Sequence, residues 1–254
     1  MPEFDLTGKV AVVTGGSRGL GREIAFAYAR HGASVVVASR KAQACVELAE
    51  EITRQTGREA VGIGCHVGEW AQCEQLAAEV SERFGRVDVL VNNAGLSPHY
   101  ASLVEVSEAL FDKVLAVNLK GAFRLSSLMG TQMAAAGGGS IINVSSVASV
   151  APAPEEIPYA IAKAGLNALT AGMARAFGPT VRVNTIMPGP MLTDISAAWD
   201  MARFEQTAKE RIPLRRGGRP DEIVGAALFL ASEDASGYVS GARIALDGGL
   251  SSLP

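Results

Sequence analysis

The sequence predicts an α/β fold in which about seven mostly parallel strands form one doubly wound sheet with helices on both faces. Three observations carry this prediction. Short β-branched runs alternate with longer segments of helical period, the first helix is entered through a glycine-rich turn, and neither a composition shift nor an internal repeat divides the chain. The 254 residues, 48% of them hydrophobic, therefore read as a single domain over 1–254 with one substantial core.

The elements follow in order. A strand over 10–14 leads through the glycines to a helix over 19–31, and a strand over 34–38, built on Val35, Val36 and Val37, precedes a helix over 42–56. Strand 60–64, helix 69–84 and strand 87–91 repeat the unit, which is the signature of βαβ connections and a parallel sheet. The second half continues with a helix over 106–135, strand 140–144, helix 159–177, strand 181–186, helix 221–231 and strand 242–246. The irregular stretch 188–219, with Trp199, Met201 and Phe204 among charges, breaks the rhythm and reads as a substrate lid around 190–219.

Bulk properties narrow the partners. A formal net charge of -3 with 19% charged residues offers no basic footing for nucleic acid or an anionic membrane, so a small-molecule partner is expected. Glu3 and Asp5 precede any apolar run and no apolar segment approaches the ~20 residues of a membrane span, which predicts a cytoplasmic protein. Cys45, Cys65 and Cys73 are read as packing thiols in a reducing compartment, and His31, His66 and His99 are too scattered to propose a metal.

The glycine turn is Thr14-Gly15-Gly16-Ser17-Arg18-Gly19-Leu20-Gly21. Between a strand and a helix, its small residues let the backbone approach a pyrophosphate at the positive helix end, which makes the sheet Rossmann-type. Its Gly-x-x-x-Gly-x-Gly spacing differs from the commoner Gly-x-Gly-x-x-Gly, and the same turn also serves as a plain tight connection. The second strand ends Ala38-Ser39-Arg40-Lys41, without the carboxylate that would accept from the 2′-hydroxyl of NAD. Arg18 and Arg40 offer two guanidiniums for a 2′-phosphate, so NADP(H) is the expected cofactor; the alternative is that Arg40 and Lys41 are solvated charges ahead of a helix.

Tyr159 and Lys163 stand four apart on one helix face. A tyrosine is a poor acid-base group at neutral pH, and a neighbouring cation is expected to lower its pKa. The pair is too common to carry a function by itself.

Taken with Asn92-Asn93-Ala94-Gly95, Val117-Asn118-Leu119, Ser145-Ser146, Pro188-Gly189 with Thr193, and Asp247-Gly248-Gly249, these blocks resemble the short-chain dehydrogenase/reductase family of about 250 residues, over nearly the whole chain. The resemblance implies a catalytic tetrad of Asn118, Ser146, Tyr159 and Lys163, with Ser146 preferred to Ser145 by its position thirteen residues before the tyrosine. It implies that Tyr159 exchanges a proton with the substrate oxygen, that Ser146 hydrogen-bonds that oxygen, that Lys163 also binds nicotinamide-ribose hydroxyls, and that Asn118 holds a water.

It further implies a cofactor set of Gly15, Ser17, Arg18, Gly19, Leu20, Gly21, Ser39, Arg40, His66, Val67, Asn93, Ala94, Gly95, Tyr159, Lys163, Pro188, Gly189, Met191 and Thr193. Thr193 is otherwise a helix N-cap beside Asp194. His66 stands where the family usually has Asp before Val67, so a changed adenine contact is expected.

The implied activity is NADP(H)-dependent interconversion of a ketone or aldehyde with an alcohol. The pocket is expected among 96–100, 147–158 and the lid, with His99, Tyr100, Pro152, Pro154 and Trp199 on offer and with Glu155 and Glu156 facing water. One alternative is a 3-oxoacyl-[acyl carrier protein] reductase, although the segments 134–139 and 178–180 lack the basic residues an acidic carrier needs. Another is a non-catalytic NADP(H)-binding sensor on the same fold. By resemblance, a homotetramer or homodimer is expected through the helices containing Phe111 and Lys163.

Overall fold

The computed structural model describes residues 4–194, 196 and 199–252. Its centre is a seven-stranded sheet: β1 Val10–Thr14, β2 Ser34–Ser39, β3 Ala60–Gly64, β4 Val89–Asn92, β5 Gly139–Val144, β6 Val181–Pro188 and β7 Arg243–Leu246. The spatial order is β3-β2-β1-β4-β5-β6-β7. Every neighbouring pair is parallel, which bears out the expected doubly wound sheet and extends 'mostly parallel' to all seven strands. The physical reason is connectivity, since each strand is joined to the next by a crossover containing helix, and none by a hairpin.

β1 sits between β2 and β4, with Val12 opposite both Val36 and Leu90. All five of its residues are buried, as a strand covered on both faces requires. Strand order reverses at β1, and the crevice beyond the carboxyl ends of β1 and β4 is where such sheets take ligands.

The helices are α1 Gly19–Arg30, α2 Ala42–Thr56, α3 Trp70–Phe84, α4 Glu108–Leu115, α5 Gly121–Ala135, α6 Ile157–Phe177, α7 Met201–Arg211, α8 Val224–Ala231 and α9 Glu233–Ser236. One core layer packs α1 and α8 on the sheet through Ile24, Phe26, Tyr28, Leu228 and Leu230; the other packs α3 and α5 through Leu76, Val80, Leu125, Met129 and Met133.

The expected helix over 106–135 runs from Glu108 to Ala135 and contains a π-helical turn, Ala116–Lys120, between α4 and α5, with helical backbone on both sides of it. Such a turn inserts one residue without disturbing the apolar stripe on either side, which is why periodicity reads through it. At its end Gly121 rides on the backbone of Val67, where a Cβ would meet the Val67 carbonyl carbon at 2.8 Å. The stretch expected to be irregular contains α7, whose first turn is capped by Asp200 accepting from the Arg203 N–H at 3.1 Å. The base of that excursion is stapled: Leu192 N–H donates to the Gly218 carbonyl at 2.8 Å and Gly218 N–H to the Pro190 carbonyl at 2.9 Å. Trp199 stacks on Phe204 within it, ring centroids 5.1 Å apart. No helix among the described residues is long and apolar enough to cross a membrane.

Candidate active site

The glycine turn is held from below by two residues. Thr14 Oγ1 donates to the Val91 carbonyl at 3.1 Å and accepts from the N–H groups of Asn93 at 3.0 Å and Ala94 at 3.2 Å. Asn93 Nδ2 donates back to the carbonyls of Thr14 at 3.0 Å and Gly15 at 3.1 Å. The loop after β1 is thereby fastened to the loop after β4, through Asn93 Nδ2. Gly15, at φ +61, has no room for a Cβ, which would meet Ala94 Cα at 2.8 Å. A Cβ on Gly21 would press on the Gly15 carbonyl and the Asn93 amide. Gly21→Ala is expected to push the turn outward, costing about 1–3 kcal/mol of stability and most NADPH binding, as thermal unfolding and nucleotide fluorescence titration would show.

Gly19, at φ +53, begins α1 and faces the Thr193 side chain, whose Cβ and Cγ2 would lie 3.5 Å from a Cβ placed there. Arg18 is the N-cap residue and makes no side-chain cap, so no side chain answers the first N–H groups of α1 from that position. A polar chain joins this turn to the end of β2: Ser17 Oγ donates to Ser39 Oγ at 3.0 Å, and Ser39 Oγ meets Cys45 Sγ at 3.0 Å. Arg18 and Arg40 are both exposed, and among the described residues neither pairs with a carboxylate, whereas Arg22 holds Glu51 at 2.8 Å.

At the end of β3, the His66 N–H donates to Gln72 Oε1 at 2.7 Å, and His66 Nδ1 accepts from the Gly68 N–H at 3.2 Å. Val67 is buried beside it, its carbonyl accepting from Cys73 Sγ at 3.2 Å. Cys45, Cys65 and Cys73 are all buried free thiols.

The four expected catalytic positions come from three places in the fold: the π turn, the end of β5 and α6. Asn118 lies in the π turn, where Nδ2 donates to the carbonyls of Leu96 and Val114, each at 2.9 Å, and Oδ1 accepts from the Leu96 N–H at 3.1 Å. Its side chain thus ties the loop after β4 to the π turn. A Cβ on Gly95 would meet Asn118 Oδ1 at 2.9 Å and Lys163 Nζ at 3.5 Å, so loop, π turn and lysine meet at one point. Ser145 is buried and donates to the Lys163 carbonyl at 3.0 Å, whereas the Ser146 hydroxyl lies beside the Tyr159 phenol.

Tyr159 and Lys163 stand on α6, with Nζ 5.5 Å from the phenol ring centroid and donating to the Val144 carbonyl at 2.7 Å. A buried ladder sets the depth of α6 on the sheet, as Asn92 Nδ2 donates to Asn143, Asn143 Nδ2 donates to Thr170 and Thr170 bonds Thr185, at 2.8, 2.8 and 2.7 Å. Burial pushes the Tyr159 phenol up to about 12, against the opposing pull of Ser146, and draws the Lys163 ammonium down to about 8. The expected lowering of the tyrosine by Lys163 does not appear in the protein without ligand, where burial is the largest influence on the phenol and Lys163 is not among those acting on it.

At the end of β6, Pro188 is buried and the Gly189 N–H donates to the Leu246 carbonyl at 3.0 Å, while its α-carbon packs so tightly on Asp247 that a Cβ would come within 2.9 Å. Met191 is buried, and its carbonyl accepts from the Thr193 N–H at 2.9 Å.

The chain resembles known proteins over nearly its whole length. A family model described as enoyl-(acyl carrier protein) reductase matches residues 15–251. Dehydrogenase/reductase SDR family member 4 of Bos taurus is 39% identical over 246 residues, 96% of this chain and 88% of that protein. The chain belongs to the short-chain dehydrogenase/reductase family. This family of oxidoreductases also includes the D-threitol dehydrogenase of Mycolicibacterium smegmatis, 39% identical over 97% of this chain and 94% of that protein. Among solved structures, a gluconate 5-dehydrogenase from Burkholderia cenocepacia in complex with NADP and tartrate superposes with a TM-score of 0.93 at 36% identity, covering 99% of this chain and 98% of that one.

Two features of this family member escape sequence reasoning. Tyr100, expected as a pocket aromatic, spends its hydroxyl on the backbone, donating to the Pro154 carbonyl at 2.7 Å and accepting from the Ile157 N–H at 2.9 Å. It clamps the entry to α6 two residues before Tyr159. Glu156, expected to face water with Glu155, is half-buried, and its Oε1 accepts from the Ala153 N–H at 3.4 Å. No composition or spacing signal marks either contact, because both arise where two loops meet.

Proposed function

We propose that the protein is an NADP(H)-dependent oxidoreductase interconverting a small or medium ketone or aldehyde with the corresponding alcohol. The observation that carries this reading is the Ser146 hydroxyl beside a Tyr159 phenol that shares its helix face with a buried Lys163. The cofactor fits the residues present: the cleft between Gly19 and Thr193 is one a side chain would fill, and Arg18 and Arg40 flank the end of β2 without a carboxylate partner among the described residues. NADP in the similar gluconate 5-dehydrogenase supports the choice.

When bound, the nicotinamide supplies or accepts the hydride. Tyr159 gives its proton to the carbonyl oxygen in reduction and removes it from the alcohol in oxidation. Ser146 hydrogen-bonds the same oxygen and steadies its developing charge. Lys163 holds a positive charge behind the phenol, stabilises the phenolate left after proton transfer and binds the nicotinamide ribose. Asn118 positions these groups by fixing the loop at Leu96, and the stapled stretch 190–219 serves as the substrate lid.

The D-threitol and gluconate dehydrogenases support a small, free, oxygen-rich substrate over a carrier-bound chain. Phe123 on α5 and Ile161 on α6, 45% and 47% exposed, support self-association into a homodimer or homotetramer. A panel of carbonyl compounds with NADPH, and of alcohols with NADP, followed at the nicotinamide absorbance, tests the reading. Turnover of at least one class is expected; tight NADPH binding with no turnover across the panel would instead establish a nucleotide-binding sensor.

A further inference from the structure

Three buried cysteines lie outside the proposed chemistry, and their sulfurs keep different company. Cys65 Sγ donates to the Gln72 carbonyl at 3.6 Å and Cys73 Sγ to the Val67 carbonyl at 3.2 Å, so both fasten the turn between β3 and α3. Cys45 Sγ instead lies 3.0 Å from the Ser39 hydroxyl, and its other polar neighbour among the described residues, at 3.8 Å, is the Ser39 carbonyl. Both belong to the residue that ends β2. The backbone builds this contact deliberately close. A Cβ on Gly62 of β3 would overlap the Cys45 carbonyl, and one on Gly64 would meet the Ala42 Cβ at 2.9 Å, so two glycines let the first turn of α2 down onto the strand. Gly64 is also the β3 partner of Ser39, and Cys45 is fully buried, with its N–H donating to the Lys41 carbonyl at 3.2 Å.

A hydroxyl has one proton and two lone pairs. Ser17 Oγ donates to Ser39 Oγ at 3.0 Å and takes the first lone pair. The Cys45 thiol, nearer to that oxygen than to the carbonyl, is placed to take the second. Burial pushes the thiol up, against the pull of its two contacts with Ser39, so it keeps the proton it donates at neutral pH. Ser39 is then left with one free function, its own O–H. The surroundings of that O–H are cationic: Ser17 is followed by Arg18 and Ser39 by Arg40, and both arginines are exposed.

We infer that Cys45 is a positioning residue for cofactor selection: its thiol fills the second lone pair of Ser39 and turns that hydroxyl into an obligate donor, matched to the 2′-phosphate of NADP(H). This rests on the NADP(H) reading above. A phosphate oxygen is an acceptor only, and a hydroxyl already committed to donating meets it without reorganisation. The 2′-hydroxyl of NAD(H) has a proton of its own to place. Ser39 has no lone pair left for it, so the same arrangement works against that nucleotide.

The test uses the full-length protein and dissociation constants for NADPH and NADH, each measured by nucleotide fluorescence. Cys45→Ala is expected to weaken NADPH by about three- to tenfold, the size of one hydrogen bond, and to leave NADH no weaker, since it frees a lone pair. Cys45→Ser, which keeps a donor at the same place, should restore the NADPH/NADH ratio. Ser39→Ala should lose NADPH preference by itself, and Cys45→Ala added to it should weaken NADPH no further, the mark of two residues acting through one bond. A merely structural cysteine would weaken both nucleotides alike and would add its loss to that of Ser39→Ala. Either of those results, or an unchanged ratio in Cys45→Ala, would overturn the inference while leaving the NADP(H) reading standing. If Cys45→Ala does not fold, Cys45→Val, which fills the space without a donor, takes its place; if neither folds, Ser39→Ala decides, and a preference that survives it overturns the inference. A wild type that binds NADH as tightly as NADPH would count against the NADP(H) reading itself and take the inference with it.

Discussion

Tyr159→Phe is expected to lower kcat by about 10³-fold, within the range attributed to a positioned general acid, while the fold and NADPH affinity stay close to wild type. In the proposed mechanism the phenol gives a proton to the reacting oxygen, with Ser146 at its side and Lys163 on the same helix. Phenylalanine keeps the ring, its packing and its place on α6, so thermal unfolding and nucleotide titration are the controls. The pH dependence sharpens the test. Burial holds the phenol proton up to about 12, so Tyr159 remains a proton donor across the neutral and mildly basic range. Lys163, drawn down to about 8, loses its charge first as pH rises. Reduction by the wild type should therefore fall as pH climbs through about 8, with Lys163 rather than Tyr159 as the group lost. Wild-type-like turnover in Tyr159→Phe would end the proposed mechanism.

Arg40→Asp should weaken NADPH by about 10²- to 10³-fold and strengthen NADH, reversing the cofactor preference. Two effects act together. A guanidinium that would pair with the 2′-phosphate is lost, and a carboxylate that repels phosphate but accepts from a ribose hydroxyl takes its place. The substitution is mild for the protein, since Arg40 is exposed and among the described residues has no carboxylate partner to abandon. Dissociation constants for both nucleotides, measured by fluorescence, report the ratio directly; an unchanged ratio would remove Arg40 from the cofactor site.

Much of this was legible in the chain before any coordinates. The strands betrayed themselves because a parallel sheet buried on both faces needs continuous β-branched runs, as in Val35-Val36-Val37. Their neighbours followed from the strand-helix alternation. The four proposed catalytic positions came from the family resemblance, and the structure brings Asn118, Lys163 and Gly95 to one point although they lie far apart in sequence.

What stayed hidden was of another kind. The π turn at Ala116–Lys120 adds a residue without altering the apolar stripe, and periodicity is insensitive to it. The side-chain commitments of Asn93, Asn118 and Tyr100 depend on which carbonyl happens to lie opposite. The Tyr159 pKa turned on burial, which a helical wheel does not weigh against a neighbouring charge.

The staple at Leu192, Gly218 and Pro190 has a consequence for how this protein can change. Its two ends enter and leave through backbone bonds that no side chain contributes, so what lies between them is a cassette. Thr193, just inside the staple, stays opposite Gly19, and Ala208 and Ile212 are buried, so the base of the cassette is pinned while its exposed positions are free to vary. In the proposed reading, catalysis and recognition are separable on that footing: Ser146 and α6 carry the chemistry, and the exposed part of the cassette is where a new substrate would be learned.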